Sequence, residues 1–239
     1  DVYKRQAQNY SWSFEGSSTN TMCREVFSRD TQRAMGQPYT RSRYYHLYIN
    51  GHYWGLFQTQ ERSEARYAET YFGGDQDDYD VVKVEAGVYT VQATDGTMDA
   101  WQHVYDVAKA GFASHEPYYR LRGLNPDGTP NPAYPKYLDV DNLIDYMICT
   151  YFVGDFDGPV SNFLGNTRPN NFYGVFNRNT PDGFKFFRHD AEHSLFDNWD
   201  RTGPWPAGEQ FQHFNPQWLH QQLTQNLDYR LRFADRVHR

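Results

Sequence analysis

Lysine is scarce in this chain of 239 residues. It occurs only at Lys4, Lys83, Lys109, Lys136 and Lys185, while acidic residues (30) outnumber basic ones (23) and leave a formal charge of -7. There is no basic run, which excludes a nucleic-acid binder that relies on neutralising phosphates. Scarcity also makes any lysine in an apolar setting stand out. Cysteine is nearly absent: Cys23 and Cys149 match no metal-ligand spacing. Both fall in expected helices, and a single disulfide or two buried free thiols both remain open. No long hydrophobic run exists, so no segment approaches a membrane span. No secretory leader is visible. An initiator Met is lacking and the chain stops inside the helical pattern DYRLRFADRVHR, so a fragment of a longer protein is expected. The opening DVYKRQ looks unrelated to the rest and is given no structural role.

Aromatic residues are plentiful, at 18% of the chain with 20 Tyr and 17 Phe. They supply a substantial core despite a mean hydropathy of -0.89. The length suits one large domain or two closely packed lobes. There are no internal repeats and no low-complexity tracts.

Apolar spacing predicts a helix over Thr21 to Met35, through Met22, Val26, Ala34 and Met35 and closed by Gly36 and Pro38. RYYHLYI and HYWGLFQ read as strands joined by Asn50-Gly51, a two-residue turn whose central positions both need positive φ. Glu61 to Phe72 follows as a helix with Ala65, Ala68, Tyr71 and Phe72 on one face and Gly73 as its stop. YDVVKVEAG reads as a strand, Met98 to Ala110 as a helix, and residues 123 to 136 as a Pro/Gly-rich loop. Asp139 or Asp141 caps an apolar helix running to about Phe152. NFYGVFN and FKFFRH form a second hairpin, and one or two helices close the chain. The pattern predicts an α+β fold with an N-lobe-like part over about 21–95 and a C-lobe-like part over about 96–239, residues 1–20 being poorly defined.

The run from Tyr151 to Phe196 carries the chemistry. Asp157, Asn171 and Asp190 sit at the ends of apolar, strand-like segments, where a carboxylate is costly to desolvate unless a cation meets it. A base, an amide and a metal-binding Asp are what phosphoryl transfer requires. Asp155 competes with Asp157, and Asn162 with Asn171, because Asp157-x-x-x-x-Asn162 also matches a kinase catalytic-loop spacing. Lys83 lies mid-strand between Val82 and Val84. A half-buried strand lysine usually points to solvent; the functional alternative is a nucleotide-phosphate lysine held by a helix carboxylate, Glu61 first and Glu64 second. His189-Asp-Ala-Glu192-His193 fits the H-x-x-E-H zinc signature, but FKFFR before it reads as strand where that motif needs a helix.

In order and motif the chain resembles the CotH kinase family, spore-coat protein H-like atypical protein kinases. The resemblance runs from about Arg24 to the C-terminus. It rests on LYINGHYWGLFQTQER, VVKVE, DNLIDYM and the block GDFDGP, NNFYGVF, FFRHDAEHSLF. It implies a divergent, reduced, two-lobed protein-kinase-like fold and transfer of the ATP γ-phosphate to Ser of a protein substrate with Mg²⁺ or Mn²⁺. By matching motif it makes Asp157 the catalytic-loop Asp. Lys83 becomes the nucleotide lysine oriented by Glu61, and Asn171 and Asp190 become metal ligands. It further implies a bacterial spore-coat, cell-surface or extracellular setting. Three features depart from the family pattern: the Asp157–Asn171 stretch is longer, Gly158 follows Asp157, and His189 precedes Asp190. A non-catalytic binding module, using loops with Trp199, Trp205 and Trp218, is the rival from another class. Asp77, Asp78 and Asp80 suggest a cleft for serines flanked by Lys or Arg.

Overall fold

In the structure, a computed structural model describing residues 2–6, 21–195 and 200–238, Asn50 (φ 51°) and Gly51 (φ 82°) turn the chain with left-handed backbone. They join β2 (Ser42–Ile49) to β3 (His52–Glu61), as this dipeptide predicts. The opening segment has a role after all: β1 (Val2–Gln6) pairs antiparallel with β3, completing a three-stranded sheet in the order β1-β3-β2.

Helix α1 (Arg24–Ala34) forms where apolar spacing predicts a helix, but it buries its polar face: Arg24, Glu25, Ser28, Arg29 and Gln32. Phe27 is exposed, and so is Cys23, which is a free thiol like the buried Cys149. Helix α2 (Ala65–Phe72) starts one turn later than expected, because Glu61 ends β3. It buries Ala65, Tyr67 and Ala68 and leaves Tyr71 and Phe72 exposed.

The chain continues through β4 (Tyr79–Val84), β5 (Val91–Asp95), α3 (Asp99–Ala110), α4 (His115–Leu121), β6 (Lys136–Leu138) and α5 (Val140–Val153). It then runs through β7 (Phe172–Asn177), β8 (Asp182–Arg188), α6 (Pro216–Leu223) and α7 (Leu227–Val237). Of these, β5 and α4 carry no clear sequence signal. A second sheet has the order β5-β4-β7-β8-β6, with only the β6–β8 pair parallel. It joins strands from both sides of residue 95. The fold is α+β, with antiparallel hairpins and a helical C-terminal part.

Alternation along the strands splits the aromatic residues between two faces. One face, with Val82, Phe172, Phe184 and Phe186, packs on Trp101, Leu143, Tyr146 and Phe214 from the helices. The other, with Tyr79, Val81, Tyr173, Val175 and Phe187, is covered by Ala65, Tyr67 and Ala68 of α2. Strand β6 pairs with β8 only as far as Phe184. Past that point side chains replace a strand: Gln32 Nε2 donates to Phe186 O (2.6 Å), and Arg188 N–H donates to Gln32 Oε1 (3.0 Å). Phe186 N–H donates to Asn142 Oδ1 (2.6 Å). These amides satisfy an edge whose buried polar groups would otherwise be costly. They explain why α1 buries Gln32.

Candidate active site

Helix α5 is capped at its start by Asp139, whose side chain accepts from Asn142 N–H (3.2 Å), and it ends at Gly154 in left-handed conformation. The next turn presents two aspartates in different settings. Asp155 is wholly buried; one oxygen meets Arg188 Nη2 and the other accepts from Asp157 N–H (3.2 Å). Asp157 keeps 8% exposure. Its Oδ1 accepts from the Ser161 hydroxyl, and its Oδ2 accepts from the amides of Asn170 (3.1 Å) and Asn171 (3.0 Å). Burial pushes its carboxyl up to about 6; the Ser161 and Asn170 bonds oppose the rise, and Asp155 and Asp190 add to it.

The long stretch between Asp157 and Asn171 folds back on itself. Val160 bridges Pro169, Ser161 N–H donates to Arg168 O (3.1 Å), and Asn170 N–H donates to Pro159 O (3.0 Å). Buried Arg201 braces the excursion from outside, donating to Asp155 O (2.9 Å), Val160 O and Asn166 Oδ1 (3.1 Å). The extra residues therefore close off as a separate loop, and fourteen positions of sequence collapse to one hydrogen bond. Gly158 has a local reason: a Cβ there would stand 2.7 Å from Asp155 Oδ2. Asn162 instead opens a 3-10 turn, its N–H bonded to Phe156 O (2.8 Å).

Asn171 (φ 44°) and Asp190 (φ 54°) both hold left-handed backbone. That conformation is uncommon outside glycine, and such residues concentrate at functional sites. Asn171 spends its Nδ2 on Asp157, which leaves Oδ1 as the amide atom for a cation. Asp190 follows the end of β8 and is half-buried within electrostatic reach of Asp157. The next residue, Ala191, donates its N–H to buried Glu25 of α1. Amide and carboxylate oxygens are the hard donors that Mg²⁺ or Mn²⁺ takes.

Lys83 belongs to the face covered by α2, two residues along from Val81, and pairs in register with Tyr173. Its amine stands 5.9 Å from the Tyr173 ring centroid. Tyr173 in turn meets the His189 ring edge-on (4.9 Å) and feels Asp190 and Glu64. Tyr173 thus lies near both Lys83 and Asp190, while Asp157 is bonded to Asn171 and lies within electrostatic reach of Asp190. The two glutamates part company. Glu61 is taken by Tyr71 and by Arg41, whose N–H lies 2.8 Å from Oε2. Glu64 pairs with Arg62 (2.6 Å), and Arg62 also bonds the Tyr173 hydroxyl.

The other sequence candidates resolve as follows. Asp80 is buried against Arg178, which also donates to Asp77 O, and Asp78 accepts from Asn179. They tie the β4 start to the β7–β8 turn, at the end of β4 away from Lys83, where Asp77 and Asp80 each line a hollow shared with Arg178. His189 to His193 is not helical, so the two histidines do not share a helical turn. No group of three or more His, Cys, Asp or Glu is poised for a metal among the described residues. His193 is instead packed between Phe156 and Phe163, and burial lowers its ring's proton affinity. Trp218 is buried beside Phe214, and Trp205 lies under Arg201. Trp199 lies outside the described residues. A groove of about 600 Å³ between α3 and α4, lined by His103, Val107, Pro117 and Leu121, includes none of these groups.

Sequence reasoning missed Ser161, Asn170, Tyr173, Arg188 and Glu25. Asn170 had a signal, since it adjoins Asn171, whereas Glu25 lies 166 positions from its partner and had none.

No curated protein matches the chain. The family described as CotH kinase protein matches residues 15–239, nearly the whole length. The chain belongs to the CotH kinase family.

Proposed function

We propose that the protein transfers the γ-phosphate of ATP to serine hydroxyls of a protein substrate, using Mg²⁺ or Mn²⁺. What supports this reading is that Lys83 and Asp190 both lie near Tyr173, and that Asp157, bonded to Asn171, is within electrostatic reach of Asp190. Asn171 Oδ1 and the Asp190 carboxylate would hold the metal, which when bound neutralises phosphate charge. Lys83 supplies a cation toward the phosphates. Of the two glutamates, Glu64 is the better placed to order that corner, because it reaches Tyr173 through Arg62.

Asp157 takes the proton of the acceptor hydroxyl as the oxygen attacks phosphorus. Asn170 and Asn171 engage both lone-pair directions of Oδ2 and Ser161 engages one of Oδ1, so the remaining lone pair of Oδ1 receives the proton. A carboxyl near 6 is ionised at neutral pH, yet more basic than a free aspartate. Substitution of Asp157 or Asp190 by Ala should each cost several orders of magnitude in kcat with the fold retained. Transfer measured with labelled ATP tests this.

The family name also favours a spore-coat or cell-surface setting, which we include in the proposal. No helix among the described residues is long and apolar enough to cross a membrane. The hairpin favours a second reading, a binding module, because Tyr48, Tyr53 and Trp54 are each more than half exposed. Calorimetry separates the two: a binding module takes up neither nucleotide nor Mg²⁺.

A further inference from the structure

Arg188 stands two residues before Asp190, and Asp155 stands two residues before Asp157. Both are buried, and they are bonded to each other. The guanidinium directs its three nitrogens at three parts of the chain: Nη2 at Asp155, Nε at Ser28 Oγ of α1 (2.9 Å) and Nη1 at Thr150 Oγ1 of α5 (2.6 Å). Its carbon lies 5.3 Å from the Tyr146 ring centroid. On the other side, Asp155 accepts the Asp157 N–H, and the missing Cβ of Gly158 leaves room for its carboxylate.

Burying such a pair contributes little stability, because desolvation offsets the attraction and apolar side chains of similar volume would pack as well. What apolar groups lack is direction. A planar fork fixes the relative placement of the segments it joins. We infer that the Arg188–Asp155 pair is a positioning device that couples the strand end presenting Asp190 to the turn presenting Asp157. It thereby sets the spacing between metal ligand and base. This rests on the phosphotransferase reading above.

The test compares wild type with Arg188→Met/Asp155→Asn, which removes both buried charges and keeps an acceptor for the Asp157 N–H. Mn²⁺ affinity in the presence of ATP, nucleotide KM, kcat and Tm are measured. Partners that orient metal ligands are typically worth about 10- to 100-fold in affinity or activity. The double variant is expected to fold, keep the nucleotide KM within about threefold, and lose about 10-fold in Mn²⁺ affinity and about 100-fold in kcat. Gln37→Ala, which removes hydrogen bonds to Asp145 and Asn142, should lower Tm and leave Mn²⁺ affinity alone. If the double variant does not fold, Asp155→Asn alone is measured in its place.

A folded variant with wild-type Mn²⁺ affinity and kcat overturns the inference while the phosphotransferase reading stands. Failure of both variants to fold also overturns it, making the pair a stability element. Wild type inert toward nucleotide and metal overturns the reading, and the inference with it.

Discussion

The side-chain amide of Asn171 donates to both the main-chain carbonyl (3.1 Å) and the carboxylate (3.0 Å) of Asp157. One side chain thus fixes the proposed base from two directions while offering its oxygen elsewhere. The buried carboxylate it steadies carries a cost that can be measured.

Asp157 has a folded value of about 6, above the roughly 3.9 of an unfolded aspartate. The folded state therefore binds more protons between about pH 4 and pH 6, and ionisation lowers stability as pH rises through that window. The cost is absent below the unfolded value and fully present above the folded one. In chelator-treated buffer, Asp157→Asn should be more stable than wild type by about 3 kcal/mol at pH 8 and by under about 1 kcal/mol at pH 4. Urea unfolding at the two pH values checks this. An equal difference at both would contradict a raised carboxyl.

Gln32 closes the open edge of β8 with one donor and one acceptor. Gln32→Leu leaves Phe186 O and Arg188 N–H buried without those partners, at a cost of about 2–4 kcal/mol. The helix that carries it should loosen first, detected as faster amide exchange in residues 24–34 than in α5. Unchanged stability would show that the edge is satisfied in another way.

The two glutamates should behave differently. Lys83→Ala is expected to raise the KM for ATP by about 10-fold or more, as loss of a charge-assisted contact does. Glu64→Ala should raise it in the same direction by a smaller factor. Glu61→Ala removes the Arg41 pairing (3.5 Å) together with the hydrogen bonds from the Tyr71 hydroxyl and the Arg41 N–H, so it should cost about 1–3 kcal/mol of stability and leave KM near wild type. A large KM effect confined to Glu61 would reverse this assignment.

Metal dependence separates the phosphotransferase from a zinc hydrolase. Chelation should abolish transfer, and Mg²⁺ or Mn²⁺ should restore it. Stoichiometric zinc in the purified protein, with hydrolysis restored by zinc alone, would point to His189, Glu192 and His193 instead.

Much of the scaffold was legible from local chemistry. Asn50-Gly51 specified its hairpin because few other dipeptides accept two positive φ values, and the apolar helix ending near Phe152 was legible with its cap narrowed to Asp139 or Asp141, of which the structure uses Asp139. Helix α1 was legible as a helix but not by its buried face. Its partners are main-chain groups of β8 more than 150 residues away, and no periodicity reports those. The start of α2 was misplaced because Glu61 suits a helix, yet pairing of β3 with β2 extends to Gln60. Of the groups proposed for the site, Asp157, Asn171 and Asp190 stand out in the sequence as polar groups at apolar segment ends. The choice between Asp155 and Asp157 did not show. It depends on Arg188, whose proximity to Asp155 is a product of tertiary folding. The acidic run at Asp77 to Asp80 is held by residues about a hundred positions away, which no local pattern reports: Arg178 pairs with Asp80 and donates to Asp77 O, and Asn179 donates to Asp78.

Phosphate transfer itself is the most direct measurement. Purified wild type, Asp157→Ala and Asp190→Ala are incubated with γ-labelled ATP, Mg²⁺ or Mn²⁺ and a serine-containing acceptor protein. Label should pass to serine with wild type and fall by several orders of magnitude with either variant, both remaining folded. Equal labelling by Asp190→Ala and wild type, or binding of neither nucleotide nor metal by wild type, would contradict a shared phosphotransfer site at Lys83, Asp157, Asn171 and Asp190.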